Sequence, residues 1–164
     1  MLPVPLLLLV DYSPGFRTNP VQIRPAKAGR VSGSTTDKNV NVRTRRPVVL
    51  VVDDDRDARD MYGMYLKAMG CRVYTARDGL VAIQKARLRH PDVIVMDLAM
   101  PRLDGWGATA RLKGERRTRD IPIIALSAVQ ISRASARAAG CDGYLAKPCM
   151  PALLWWEIQA VLTH

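Results

Sequence analysis

Nowhere does this 164-residue chain offer the roughly 20 consecutive apolar residues needed to cross a bilayer. Its longest apolar stretch, MLPVPLLLLV at residues 1–10, is interrupted by Pro3 and Pro5. No Lys or Arg precedes that stretch, and Asp11 follows it without a small-residue cleavage pattern, so a secretory signal is not expected either. Cysteine is scarce: Cys71, Cys141 and Cys149 are odd in number and show no metal-type pairing. A reduced, cytoplasmic protein is the simplest expectation. Fixed-period repeats are missing, which excludes a solenoid. Aromatics are few, and Tyr12 and Phe16 lie far upstream of the one arginine cluster, Arg43, Arg45 and Arg46. Nucleic-acid binding through that cluster is therefore disfavoured, although neutralising phosphates with such a tail is the physical basis on which it would work.

What is present is unevenly distributed. Eight Lys/Arg and two Asp fall in residues 1–46, so +6 of the net charge of +10 sits there. From Ser13 to Pro47 the chain is rich in Pro, Gly, Ser, Thr, Asn and Arg, without helical or strand periodicity. Such a segment cannot bury enough apolar surface to offset its ordering entropy, so residues 1–46 are expected to be a disordered basic extension. An upstream start-site choice in the gene would explain the first ten residues equally well. Residues 47–164 have the length of one domain with a full core.

From Pro47 onward, strand-like and helix-like segments alternate. Val48–Val52, Cys71–Ala76, Val93–Met96, Ile121–Leu126 and Gly143–Ala146 read as strands. Between and after them, Ala58, Met61, Tyr62, Tyr65, Leu66 and Met69 recur at helical spacing, as do Leu80, Ile83 and Ala86, then Ala108 and Leu112. Ser132–Ala139 reads as a short helix, and Leu154, Ile158, Val161 and Leu162 form the inward stripe of a last one that Pro151 begins. Five strand-then-helix units predict a doubly wound α/β sheet with helices on both faces.

Parallel sheets open their binding crevice at the carboxyl ends of the strands. The first polar residues after the apolar runs are Asp53 and Asp54, then Asp97, Ser127 and Lys147. Any one of these alone would be ordinary helix-capping or strand-end chemistry. Together they place carboxylates, a hydroxyl and an ammonium on one edge. Converging carboxylates repel unless a cation separates them, and Mg2+, which takes hard oxygen ligands and keeps waters for a phosphoryl group to displace, suits the set. One carboxylate is then available as a nucleophile, with the hydroxyl and the lysine to grip phosphoryl oxygens.

The ordered motifs VVLVVDDD, VIVMDLAMPRLDGW, IIALSA and GYLAKP resemble the receiver domain of bacterial two-component response regulators over residues 48 to about 162. That resemblance implies a flavodoxin-like fold, a five-stranded parallel sheet in the order 2-1-3-4-5 with five helices. It implies Asp97 as the phosphoacceptor and Asp54 and Asp53 as the acids that hold Mg2+, with the backbone carbonyl of Ala99 as a further ligand. Lys147 would contact the carboxylate and the phosphoryl group, the Lys147–Pro148 bond would be cis, and Ser127 and Tyr144 would form the switch. The implied phosphodonor is a sensor histidine kinase or a phosphotransfer protein, with a downstream protein target that the sequence does not name. Only 17 residues follow Lys147, room for one helix, so a stand-alone receiver that catalyses its own phosphorylation and dephosphorylation but is no enzyme otherwise is expected.

Two departures from the family pattern stand out. The stretch between Ser127 and Lys147 is about two residues shorter than usual, in the region that carries the switch. Ala108 is smaller than the leucine often found there, which affects packing. Asp55 reads as a helix cap, Asp104 and Gly105 as turn chemistry, and His90 as a helix-end residue. Trp155 and Trp156 fall off the inward stripe of the last helix; a partner or homodimer surface and partial burial against a neighbouring loop are both compatible with that placement. A Mg2+-dependent phosphatase of the haloacid dehalogenase type also uses a strand-end aspartate, but it requires a second aspartate two residues on, where this chain has Ala99. A basic adaptor acting through the N-terminal extension is the remaining alternative.

Overall fold

The computed structural model of the protein describes residues 45–163. The expected disorder of residues 1–46 therefore lies outside the described residues, apart from Arg45 and Arg46. Arg45 already belongs to the folded part, because its guanidinium lies 3.1 Å from Oδ1 of Asp92. The other oxygen of Asp92 accepts the Val48 N–H at 2.7 Å, so one carboxylate secures the entry into the first strand.

The elements alternate as expected: β1 (Val48–Val52), α1 (Arg56–Ala68), β2 (Arg72–Ala76), α2 (Gly79–Arg89), β3 (Val93–Asp97), α3 (Gly105–Gly114), β4 (Ile123–Ser127), α4 (Arg133–Ala138), β5 (Gly143–Ala146) and α5 (Pro151–Leu162). All strands are parallel, in the order β2-β1-β3-β4-β5. β1, β3 and β4 are buried at every position, which is why they are continuous apolar runs and not alternating ones.

Alternation of side chains divides those strands between two cores. Leu50, Val52, Ile94, Met96, Ile123 and Ala125 pack with Ala82, Ile83, Ala108, Leu112 and Ala136 from α2, α3 and α4. Val49, Val51, Val93, Val95, Ile124 and Leu126 pack with Tyr62, Leu66, Leu154 and Ile158 from α1 and α5. Each fully buried aliphatic side chain contributes about 1.5–3 kcal/mol relative to exposure.

The sequence misplaced several side chains. Leu80 is exposed, and the buried stripe of α2 runs through Gly79, Ala82, Ile83 and Ala86. The spacing 80-83-86 is as helical as 79-82-83-86, and packing against the sheet and the neighbouring α3 decides between them. Met61 and Met69 are likewise exposed, beside a stripe of Tyr62, Gly63 and Leu66. Trp155 is half-buried and packs on the second core, whereas Trp156 is 75% exposed. At about 100° per residue, Trp155 flanks the Leu154–Ile158 stripe and Trp156 faces away from it.

Helix caps conform to simple local rules. Asp55, Asp78, Asp104 and Ser132 each accept a backbone N–H of the first turn of the helix that follows. His90 closes α2 in the left-handed region, at φ 44°.

Candidate functional site

The register of the sheet assembles the site. Val52 pairs with Met96, so Asp53, one step beyond β1, lies beside Asp97 at the end of β3. Ser127 closes β4 opposite Ala146, and Lys147 follows directly, its N–H donating to the Ser127 carbonyl at 2.8 Å. Asp53, Asp54 and Asp97 each bring a carboxylate oxygen within 4.8 Å of the others. The Nζ of Lys147 donates to Oδ2 of Asp97 at 2.6 Å and to Oδ2 of Asp53 at 2.7 Å. The Lys147–Pro148 peptide is cis.

Both acids are further organised by backbone amides. Oδ1 of Asp53 accepts the Asp55 N–H, and Oδ1 of Asp97 accepts the Ala99 N–H, each at 3.0 Å. Arg59, on α1, donates to the carbonyls of Asp53 and Asp54 at 2.6 and 2.9 Å, holding the turn after β1 in place. The carbonyl of Ala99 receives no hydrogen bond among the described residues, and Ala99 is exposed. Gly105 permits the close packing behind this loop: a Cβ there would lie 2.1 Å from the Asp97 carbonyl oxygen.

Burial raises the Asp53 carboxyl above the usual carboxylate range, with the Lys147 ammonium pulling against it. Burial likewise opposes the charge of Lys147, but its hydrogen bonds to Asp53 and Asp97 outweigh that and hold it above its ordinary value. Three carboxylates against one ammonium leave two negative charges in a mostly buried cluster. A divalent cation with hard oxygen preference balances that set, so the residues present fit Mg2+.

Ser127 and Tyr144 meet at a single backbone unit. The Ser127 hydroxyl donates to the Val129 carbonyl at 2.8 Å and accepts the Val129 N–H at 3.1 Å. The Tyr144 hydroxyl accepts the Ile131 N–H at 3.3 Å and reaches the same Val129 carbonyl at 3.5 Å. Neither hydroxyl is bonded to the carboxylate cluster.

A response regulator receiver domain matches residues 49–159. The chain belongs to that family. Among receiver-containing relatives, it is 39% identical over 114 residues to Protein PilG of Pseudomonas aeruginosa, covering 68% of this chain and 84% of PilG. It is also 39% identical over 118 residues to the transcriptional regulatory protein PrrA of Mycobacterium tuberculosis, covering 71% of this chain and 50% of PrrA. The receiver thus spans most of PilG but about half the length of several curated transcriptional regulators. Among solved structures, the chemotaxis response regulator CheY4 of Vibrio cholerae is similar at a TM-score of 0.66 and 31% identity, covering 71% of this chain and 98% of that one. The receiver domain of the sensor histidine kinase PA1611 of Pseudomonas aeruginosa matches at a TM-score of 0.66 and 33% identity, over 73% of this chain and 99% of that one. In that relative a magnesium ion is coordinated in the active site cleft. Receivers are signalling components of two-component systems rather than conventional enzymes. No helix among the described residues is long and apolar enough to cross a membrane.

Sequence patterns gave no sign of a partner for Asp78 and did not single out Arg102 or Arg59. The buried Asp78 carboxylate bonds the Val81 N–H at 2.8 Å and also the guanidinium of Arg102. An Asp-Gly pair signals a cap, but no spacing rule announces a partner 24 residues away.

Proposed function

We propose that this receiver accepts a phosphoryl group on Asp97 from the phosphohistidine of a sensor kinase or phosphotransfer protein, with Mg2+ as cofactor. The observation that carries the reading is the Lys147 ammonium seated between Asp97 and Asp53, at 2.6 and 2.7 Å. A purely structural cation site would not need an ammonium in direct contact with one of its acids. Asp53, Asp54, Asp97 and the free carbonyl of Ala99 are the groups that would hold the ion. Bound there, Mg2+ supplies charge neutralisation at the transferring phosphoryl oxygens.

In the transfer, a carboxylate oxygen of Asp97 forms a bond to phosphorus as the donor's N–P bond breaks. The imidazole leaves with that electron pair and takes up a proton from solvent. Lys147 stabilises the charge on the phosphoryl oxygens, so this chain's contribution is positioning and electrostatics. Ser127 then exchanges its two bonds with Val129 for a phosphoryl oxygen. Because Tyr144 reaches the same Val129 carbonyl, the exchange frees it to reorient and alters the surface formed by α4, β5 and α5. Trp156 on α5 is available to a protein partner or a second copy, and the receiver signals through such contacts.

The test treats the purified protein with Mg2+ and acetyl phosphate and follows an acid-stable, base-labile adduct. Labelling of the wild type that disappears in Asp97→Asn supports the reading. Absence of an adduct on the wild type, or undiminished labelling of the variant, overturns it. A beryllofluoride complex reads the switch separately, through changes at Ser127, Tyr144 and α5.

A further inference from the structure

The loop from Leu98 to Asp104 carries Ala99, whose own N–H is tied to Oδ1 of Asp97 at 3.0 Å. Leu98 is tied at both groups, its N–H to the Leu126 carbonyl at 2.9 Å and its carbonyl to the Gly105 N–H at 3.1 Å. Met100 is buried. Beyond it, Pro101 and Arg102 are exposed, and the next fixed points lie across the β2–α2 corner. There the Leu103 carbonyl accepts the Gly79 N–H at 3.1 Å, and the guanidinium of Arg102 pairs with Asp78.

Three features make the Arg102–Asp78 pair more than a surface ion pair. Asp78 is 2% exposed, so its carboxylate is already withdrawn from water, whereas most surface pairs are not. Arg102 has φ 68°, a left-handed backbone that strains any residue with a Cβ and that glycine would adopt freely. Packing at the corner is also tight: a Cβ on Gly79 would lie 2.7 Å from the Leu103 carbonyl oxygen and 2.8 Å from the Ala108 Cβ. The small Ala108 is thus part of what lets the corner close on the loop. A strained arginine held where glycine would be easier indicates that its side chain has a task at that position.

We infer that Arg102 and Asp78 are positioning residues that latch the Leu98–Asp104 loop so that the Ala99 carbonyl is preset to ligate the metal. Neither touches the reacting atoms. The inference rests on the proposed metal and phosphoacceptor roles, and it names which residues outside the carboxylate cluster set the strength of metal binding there.

Calorimetric titration of the full-length protein with Mg2+ alone is the test, together with thermal melts of the metal-free protein. Arg102→Gly removes the latch and relieves the backbone strain, so its metal-free stability is expected to equal or exceed that of the wild type. Its Mg2+ affinity is nevertheless expected to fall about tenfold, in the range seen when groups that orient a metal ligand are removed. Asp78→Asn keeps a good capping residue and is expected to weaken Mg2+ binding similarly. The double variant should be no worse than Arg102→Gly, as for two ends of one contact. Arg102→Lys, which keeps a cation within reach of Asp78, should recover most of the affinity. Arg77→Gln serves as control: Arg77 is a more distant partner of Asp78, at 3.7 Å, and its replacement should leave Mg2+ affinity unchanged. Wild-type affinity in both Arg102→Gly and Asp78→Asn would overturn the latch while leaving the metal site intact. Failure of the wild type to bind Mg2+ would instead overturn the reading on which the latch rests.

Discussion

The β1–β3 part of the sheet and the β5–α4 part meet at one edge but are built differently. β1 and β3 are buried at every residue, and the acids at their ends are held by backbone amides, by Arg59 and by Lys147. β5 is buried only at Gly143, and α4 has six residues of which Ala136 alone is buried. On that side the polar groups bond to loop backbone around Val129. The contrast fits the proposed function: accepting a phosphoryl group calls for rigid carboxylates, whereas a readout calls for bonds that can be traded at little cost. Local stability should follow the same division.

Removing the tie between the two parts should have the largest effect. Lys147→Met leaves Asp53 and Asp97 without their ammonium, and labelling by acetyl phosphate at saturating Mg2+ is expected to slow by about 10²–10³, as for loss of one preorganised electrostatic contact. A rate within threefold of wild type, which is about 0.65 kcal/mol, would show that Lys147 is not part of the transfer machinery.

Leu126 and Leu145 occupy the same rung of β4 and β5, so they compare the two parts directly. Leu126→Ala, at a fully buried site, is expected to cost about 3–4 kcal/mol in denaturant unfolding. Leu145→Ala, where the side chain is only partly buried, should cost about 1–2 kcal/mol. Equal losses would mean that β5 is as firmly packed as the inner strands.

Asp53 and Asp78 are both buried, but their carboxyls shift in opposite directions. Burial pushes Asp53 up. Burial pushes Asp78 up as well, but the Val81 N–H and Arg102 outweigh it and hold that carboxyl below its ordinary value of 3.8. Asp78 therefore contributes stability that is present above pH 3.8 and is lost as pH falls through its lower folded value. Asp53 acts in the opposite sense: the folded state holds its proton more tightly, so stability declines as pH rises above 3.8 through its raised value. Melting of the metal-free protein between about pH 2 and pH 5 should show a shallower acid loss in Asp78→Asn and a steeper one in Asp53→Asn.

The smallest effect on folding is expected on α5. Trp156→Ala should change stability by less than about 0.5 kcal/mol, as for most exposed positions. Trp155→Ala, which removes contacts with the core of α1 and α5, should cost more, about 1–2 kcal/mol. If Trp156→Ala also leaves phosphorylation-dependent association unchanged in light scattering, Trp156 is no part of a homodimer surface.

Much of this was legible before the fold was known, and for a physical reason. Strands buried on both faces must be apolar throughout, so Val48–Val52 and Val93–Met96 announced themselves, and the polar residues just after them, Asp53, Asp54 and Asp97, marked the crevice. Capping depends on residues a few positions apart, which is why Asp55 could be read directly. Stripes with two equally helical spacings could not be resolved locally, so Leu80, Met61 and Met69 were misplaced until a neighbouring element selected the buried face.

By itself, then, the sequence determined the order of strands and helices, the family and the residues at the carboxyl edge, because those follow from local periodicity and motif spacing. Only the tertiary structure decided that Lys147 bridges Asp53 and Asp97, that Ser127 and Tyr144 share Val129, and that Arg102 reaches Asp78. Those contacts join residues separated by as many as 94 positions. They exist because parallel pairing brings distant strand ends to one edge, a geometry that no local pattern encodes.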